Sequence, residues 1–335
     1  MPEISFQNQT FACAEGETVL ECLMRQGVAV PSSCRSGVCQ TCLMRATAGA
    51  VPAPSQNGLK PTLREQGYFL ACSCRPQSDL AVALPDEAVA PKTPATVIAK
   101  EALNAEILRL SLRCERPFAY RAGQFAHLYR PDGLTRSYSI ANLPNESGIL
   151  ELHVRRLPDG AMSGWIHDTL AIGETLEVAG PFGDCFYTAD AAEQGLLLIG
   201  TGSGLAPLVG IVADALEQGH AGPIHLYHGS WKPDGLYLVE ELRHLSARFP
   251  NFTYAPCVDA DARPGFREGR ADLTAFAELK SLKNWRVFLC GHPEMVKGAK
   301  KRAFLAGASM RDIYADPFVL SAAPTQEPAP QAQAA

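Results

Sequence analysis

The stretch "SSCRSGVCQTC", residues 32–42, puts Cys34, Cys39 and Cys42 within nine positions, separated by four residues and then by two. Structural zinc usually pairs two Cys-x-x-Cys knuckles, whereas four-then-two with a remote fourth cysteine is a 2Fe-2S ligand spacing. The competing readings are disulfides and cysteines that only fill space. The chain holds 11 cysteines, an odd count. Its opening "MPEISFQNQTFACAEGE" has neither a basic nor an apolar leader segment, so a cytoplasmic, reduced protein is expected, with thiols free or metal-bound. A remote partner stands in "GYFLACSCRP", where Cys72 and Cys74 both follow an apolar run. Gly37 suits a loop whose backbone must fold closely around a cluster and offer amide hydrogens to its sulfurs.

Length and composition bound the rest. A chain of 335 residues, 47% hydrophobic and 19% charged, reads as two or three ordinary globular domains. The net charge of -5 comes without a basic block, so nucleic acid is not an expected partner. No apolar run approaches the length that spans a bilayer. Around the cysteines, "TVLECLMRQGVAV" spaces Val19, Leu20, Leu23 and Met24 at helical intervals, and "LAVALP" reads as a strand. The Pro- and Ala-rich residues 85–94 read as a linker, closing a first domain at about residues 1–90.

From 91 to 190 the chain gives short alternating stretches such as "ILRLSLRC", "QFAHLYR" and "LELHVRR", divided by turn formers. That spacing predicts a small antiparallel barrel. From 191 to 320 the pattern changes. "GLLLIGTGSGLAPLVGIVADALEQG" is a buried strand, a glycine turn and an amphipathic helix, and the strands "PIHLYHGS", "FTYAPCV" and "WRVFLCG" alternate with helical segments. A doubly wound parallel sheet follows. The turn is not the strict dinucleotide fingerprint, because its glycines are Gly200, Gly202 and Gly204 and Leu205 occupies the last place. Cys290 and His292 form a Cys-x-His, but no Cys-x-x-His accompanies them, which excludes a Rieske pair. Residues 321–335 are Pro, Ala and Gln and read as a disordered tail.

Taken in order, these motifs resemble the ferredoxin-fused members of the ferredoxin-NAD(P)H reductase superfamily, and most closely the reductase components of multicomponent oxygenases of the naphthalene-dioxygenase-reductase type. The resemblance implies a β-grasp 2Fe-2S ferredoxin, a flavin-binding barrel and a nicotinamide-binding domain. It also implies Cys72 as the fourth ligand, since these relatives place it directly after an apolar run as in "LAC". Gln40 departs from the glycine common there. In "TRSYS", Arg136, Ser137, Tyr138 and Ser139 match the flavin signature: a charged fork for a phosphate, a ring packed on the flavin, a hydroxyl at N5. His153 and Val154 in "LELHVRR" are implied flavin contacts. Gly160, Met162 and Ser163 in "GAMS" resemble the pyrophosphate turn at a helix start, and "GPFG", Gly180 to Gly183, the closing barrel turn. Gly200, Thr201, Gly202, Ser203, Gly204 and Pro207 would lie beneath the NAD(P)H pyrophosphate. Cys290, Gly291 and Met295 of "CGHPEM" would lie at the nicotinamide, and Phe318 of "DIYADPF" would cover the flavin, with Asp316 a nearby polar group.

The implied activity is electron transfer. Hydride arrives from NAD(P)H at a flavin near Ser139, and single electrons leave through Cys34, Cys39, Cys42 and Cys72 to an oxygenase or ferredoxin docked near the cluster loop. The catalytic set is then Ser139, Cys290 and Phe318. FAD is expected over FMN because "GAMS" suits a dinucleotide. NADH is expected over NADPH because the stretch after the second strand offers Lys232, Ser230 and Tyr237 but also Asp234. A monomer is expected. The competing functions are a reductase for a non-oxygenase partner, such as a deoxysugar dehydratase, and a metal module without flavin chemistry, which intact Arg136, Tyr138, Ser139 and Cys290 oppose.

Overall fold

The computed structural model describes residues 1–85 and 92–319. The tail expected at 321–335 and most of the expected linker lie outside the described residues. The linker reading also ran too far, because a strand begins at Thr93.

The first unit contains β1 (Glu3–Phe6), β2 (Gln9–Ala12), α1 (Val19–Arg25), β3 (Leu43–Ala48), α2 (Pro61–Glu65), β4 (Tyr68–Leu70) and β5 (Leu80–Ala83). Its sheet runs β2-β1-β5-β3-β4, with β1 and β5 parallel and the other neighbours antiparallel, the β-grasp arrangement. Helix α1 starts where the sequence provides a full capping box: Thr18 accepts from the Glu21 amide, and Glu21 accepts from the Thr18 amide. Its Val19, Leu20, Cys22 and Leu23 pack on Ile4, Phe6 and Phe69 of the sheet.

The second unit is built from β6 (Thr93–Ala102), β7 (Ile107–Cys114), β8 (Phe125–Tyr129), β9 (Thr135–Ser139), β10 (Ile149–Arg155), α3 (Ala161–Asp168) and β11 (Thr175–Phe182). Its antiparallel sheet runs β10-β7-β6-β11-β8-β9, and the two outer strands meet at one bridge, Ile140 to Leu152. Period-two alternation sends Val97, Leu110, Leu112, Leu128, Leu150, Leu152 and Val178 inward.

The third unit holds β12 (Gly195–Thr201), α4 (Leu205–Glu217), β13 (Ile224–Ser230), α5 (Val239–Arg248), β14 (Phe252–Val258), β15 (Arg267–Glu268), α6 (Ala271–Glu278), β16 (Trp285–Gly291), α7 (Pro293–Leu305) and β17 (Ile313–Pro317). The sheet is parallel throughout, in the order β15-β14-β13-β12-β16-β17. Strand β12 is buried on both faces, which is why it reads as an unbroken apolar run. Chain order reverses between β12 and β16, and a crevice at such a switch point is where ligands bind.

The units are fastened to one another at specific points. A Cβ at Gly210 of α4 would stand 2.9 Å from the Ala141 carbonyl oxygen, and one at Gly123 would stand 2.7 Å from Ile211. Glycine there lets α4 lie directly on the antiparallel unit. The first unit attaches through residues 60–66. Lys60 pairs with Asp184 at 2.8 Å, and its ammonium lies 4.8 Å from the centre of the Tyr314 ring. Glu65 pairs with Arg121, and Gln124 donates to Gln66 at 3.4 Å.

Leu198 sits fully buried at the centre of β12, paired on both sides. Leu198→Ala is expected to lower unfolding free energy by about 2–5 kcal/mol, measured by urea titration of the third unit's fluorescence.

Candidate functional site

Cys34 and Cys39 are exposed, Cys72 is half-buried and Cys42 is buried. The loop carrying the first two turns its amides inward: Ser36 and Cys39 N–H both donate to Cys34 Sγ at 3.4 Å, and Cys34 N–H to Cys39 Sγ at 3.5 Å. Gly37 holds φ +78°, and a Cβ there would stand 2.8 Å from Ser73 Oγ. These donors hold the Cys34 thiol down to about 5, the Ser36 hydroxyl first and then the loop amides, and the Thr41 hydroxyl lowers Cys39. Burial instead pushes Cys42 up to about 11, with Cys72 its neighbour. Cys74 is fully buried in the core, its thiol raised to about 11 by desolvation. The residues thus fit a cluster bound by Cys34, Cys39, Cys42 and Cys72, with amides facing sulfur. A second group, Cys13, Glu17 and Cys22, has its donor atoms within 4.8 Å of one another. It does not fit a metal, because Glu17 is committed to Arg25 at 2.8 Å and burial raises the Cys13 thiol to about 12.

On the antiparallel unit, strand β9 sets Arg136 and Tyr138 on one face and Ser137 and Ser139 on the other. Tyr138 packs against the core of this unit, Ser137 Oγ meets His127 Nδ1 at 3.0 Å, and Arg136 donates to the Thr135 carbonyl at 2.8 Å. Gly160 precedes α3 so tightly that a Cβ would stand 2.3 Å from Ser163 Oγ. The Ser163 hydroxyl accepts from the Leu157 amide and donates to the Gly160 carbonyl, so a phosphate at this turn would meet main-chain N–H groups. A cleft of about 620 Å³ opens here, lined by Glu106, Arg155, Arg156, Leu157 and Gly160. Three expected contacts lie deeper. Val154 and Met162 are core side chains. His153 has both ring nitrogens engaged, Nδ1 with Tyr237 at 3.1 Å and Nε2 with Glu151 at 3.3 Å, and it ties this unit to the parallel one.

In the parallel unit two loops interlock at the crevice. A Cβ at Gly204 would stand 2.4 Å from the Cys290 carbonyl oxygen, and one at Gly291, where φ is +120°, 2.6 Å from Thr201 Oγ1. Thr201 accepts from the His292 amide at 3.1 Å. His292 Nδ1 caps α7 by accepting from Glu294 N–H, which accounts for the Cys-x-His spacing without a metal. Gly200 lies against Leu208, Gly202 lies beside Arg155, and Ser203 is half-buried. Pro207 and Met295 are buried within α4 and α7. Ser230 ends β13, tight against Gly235.

Ser139, Cys290 and Asp316 come together. Asp316 lies opposite Cys290 in the β16–β17 ladder, with the Ser139 side chain near its carboxyl. Burial pushes its carboxyl up to about 6, and the Asp184 charge adds to this. Cys290 is fully buried, its thiol raised by burial, with Sγ 3.8 Å from Cys185 Sγ. Phe318 is half-buried just past β17, its amide on the Gly291 carbonyl at 2.8 Å, so the final stretch is both a packed strand and a lip over the crevice. Sequence reasoning missed Cys185 and Asp184, and Asp316 entered it only as a neighbour.

Residues 3–77 match the 2Fe-2S iron-sulfur cluster binding domain, 94–187 the oxidoreductase FAD-binding domain and 198–301 the oxidoreductase NAD-binding domain. The aromatic O-demethylase reductase subunit of Amycolatopsis sp. is 34% identical, covering 94% of this chain and 98% of its own length. The reductase component of the Pseudomonas putida naphthalene 1,2-dioxygenase system is 33% identical, covering 93% and 96%. A crystal structure of an Amycolatopsis reductase is 33% identical and superimposes with TM-score 0.67 over 95% of this chain and 99% of that one.

Because the Asp316 carboxyl is raised, its contribution to stability is complete below the ordinary carboxylate range and is lost as pH rises through about 6. Asp316→Asn is expected to be more stable than the parent by about 1–2 kcal/mol near neutral pH, the difference closing by about pH 4. Urea titrations of both proteins across that range check it.

Proposed function

The chain belongs to the family of reductase components that join a 2Fe-2S cluster domain to FAD- and NAD-binding domains, and we propose that it carries electrons from NADH to an oxygenase component or a ferredoxin. The observation that carries this reading is the meeting of Ser139, Asp316 and Cys290 at the crevice between β12 and β16. A bound flavin supplies the step between a two-electron donor and a one-electron acceptor. The chain itself binds and orients. Arg136 and the amides at the start of α3 hold the flavin phosphates, and Tyr138 seats the ring. The loop from Gly200 to Gly204 receives the nucleotide pyrophosphate. Cys290 and Gly291 would meet the nicotinamide, and Phe318 would cover the flavin. Ser139, near the Asp316 carboxyl, would offer its hydroxyl proton to a bound flavin. Little general base chemistry is required, and positioning dominates.

Cys34, Cys39, Cys42 and Cys72 are the cluster ligands in this reading, and Cys74 is a core residue. The acceptor docks where Cys34 and Cys39 are exposed, with Val38 between them 76% exposed. Relatives named for demethylase and dioxygenase systems support an oxygenase partner over a deoxysugar dehydratase. No helix among the described residues is long and apolar enough to cross a membrane.

Visible spectra of anaerobically purified protein test this. Overlapping flavin and iron-sulfur bands that bleach with NADH more readily than with NADPH are expected, and a colourless protein would sink the reading. Cys72→Ser is expected to lose the iron-sulfur bands and Cys74→Ser to retain them, as iron and sulfide analysis checks. Ser139→Ala should slow flavin reduction at least about tenfold in stopped flow.

A further inference from the structure

All three units meet at residues 183–185. The Gly183 carbonyl accepts from Gln124 Nε2 at 3.1 Å, and a Cβ at Gly123 would collide with the Cys185 carbonyl, so this stretch is fixed to the antiparallel unit. Cys185 reaches the parallel unit, its Sγ 3.8 Å from that of Cys290. Between them, Asp184 takes the ammonium of Lys60, from the first unit, at 2.8 Å. The same ammonium lies 4.8 Å from the centre of the Tyr314 ring. Tyr314 and Asp316 are two positions apart on β17, so their side chains share a face. Packing agrees with that alternation: Tyr314 joins the core that holds Cys290, while Ile313 and Ala315 pack in a different one. Lys60 and Asp184 therefore stand by the face of β17 that carries Asp316. The Asp184 charge is felt there, adding to burial in raising the Asp316 carboxyl.

We propose that Lys60, a residue of the cluster-binding unit, is a positioning residue of the flavin site, acting through Asp184 to keep an unpaired negative charge away from that site. The inference rests on the reading that places the flavin beside Ser139 and Asp316. The Lys60 and Asp184 side chains are only 26% and 30% exposed, so their charges are screened less than those of a fully solvated pair. With the pair formed, the junction adds no net charge to the site. Without Lys60, Asp184 is a bare carboxylate close to a group that must accept electrons, and it opposes their arrival. Seating the cluster unit and favouring flavin reduction are then one interaction. The unit that removes the electrons also brings the cation that eases their entry. A residue that only held two units together would act differently: breaking the pair from either side would loosen the same contact and move the flavin the same way. A residue that acts by charge gives shifts of opposite sign from the two sides.

The test is an anaerobic redox titration of the flavin, followed by its visible bands in the full-length, flavin- and cluster-loaded protein. Five forms are compared: the parent, Lys60→Met, Lys60→Arg, Asp184→Asn, and the variant carrying Lys60→Met with Asp184→Asn. Lys60→Met is expected to lower the midpoint potential, so that the ratio of reduced to oxidised flavin at the parent's midpoint falls at least about threefold. Asp184→Asn is expected to raise the potential, and Lys60→Arg to keep the parent's value. The double variant is expected to return to the parent's value, because it restores neutrality without restoring the contact. No shift in Lys60→Met, shifts of the same sign in the two single variants, or a double variant that stays with either single one would overturn the proposal. The rate of flavin reduction in Ser139→Ala reports on the reading alone. A rate equal to the parent's would remove the flavin from this face and the proposal with it. A slowed rate with unmoved potentials would leave the flavin there and overturn only the role of Lys60.

Discussion

The close approach of two loops at the C-terminal ends of β12 and β16 is the constraint on which the rest of the site depends. There is no room for even a single methyl group between Gly204 and the Cys290 carbonyl or between Gly291 and Thr201. Side chains at either glycine would push β16 away from β12 and take Cys290 with it. Because β17 pairs with β16 in register, the same displacement would carry Asp316 away from Ser139 and take Phe318 along with Gly291. The glycines therefore do more than leave space for a phosphate: they set the distance between the parallel sheet and the antiparallel one. The His153 to Tyr237 contact and the seating of α4 on Ala141 hold that distance from the other side.

The architecture was legible in the sequence because each unit writes its own period. Alternation marked the strands of the antiparallel unit, unbroken apolar runs marked β12 and β16, and the cysteine spacing marked the metal loop. The site was legible where one short segment carries the whole requirement, as at Gly202 to Gly204 or Cys34 to Cys42. It was not legible where the requirement is shared between segments. Cys185 meets Cys290 across 105 positions, and Asp184 matters only because Lys60 and Asp316 are both near it. His153 has a structural role that its motif did not announce. Its place in a flavin-contact stretch suggested a ligand, but a histidine so buried is held neutral, and Tyr237 and Glu151 take both of its nitrogens.

Hydrogen-bond donors at one redox region and burial at the other move the titratable groups in opposite directions. At the cluster loop the exposed Cys34 is bathed in donors and readily gives up its proton. At the crevice burial raises both groups, so that Cys290 keeps its proton and Asp316 gives its up only near pH 6. One end of the molecule is built to bear negative charge and the other to avoid it. The chain thus sorts thiolate from thiol without any difference in the residue itself.

The attachment of the first unit through residues 60–66 has a consequence for how traffic passes through the molecule. Lys60, Glu65 and Gln66 grip the other two units, while Cys34, Val38 and Cys39 stand exposed on a different segment. The handle and the outlet are separate pieces of chain. In the reading proposed above, an acceptor that docks at the outlet does not compete for the handle, so the small unit would serve as a bolted junction box and not as a ferry.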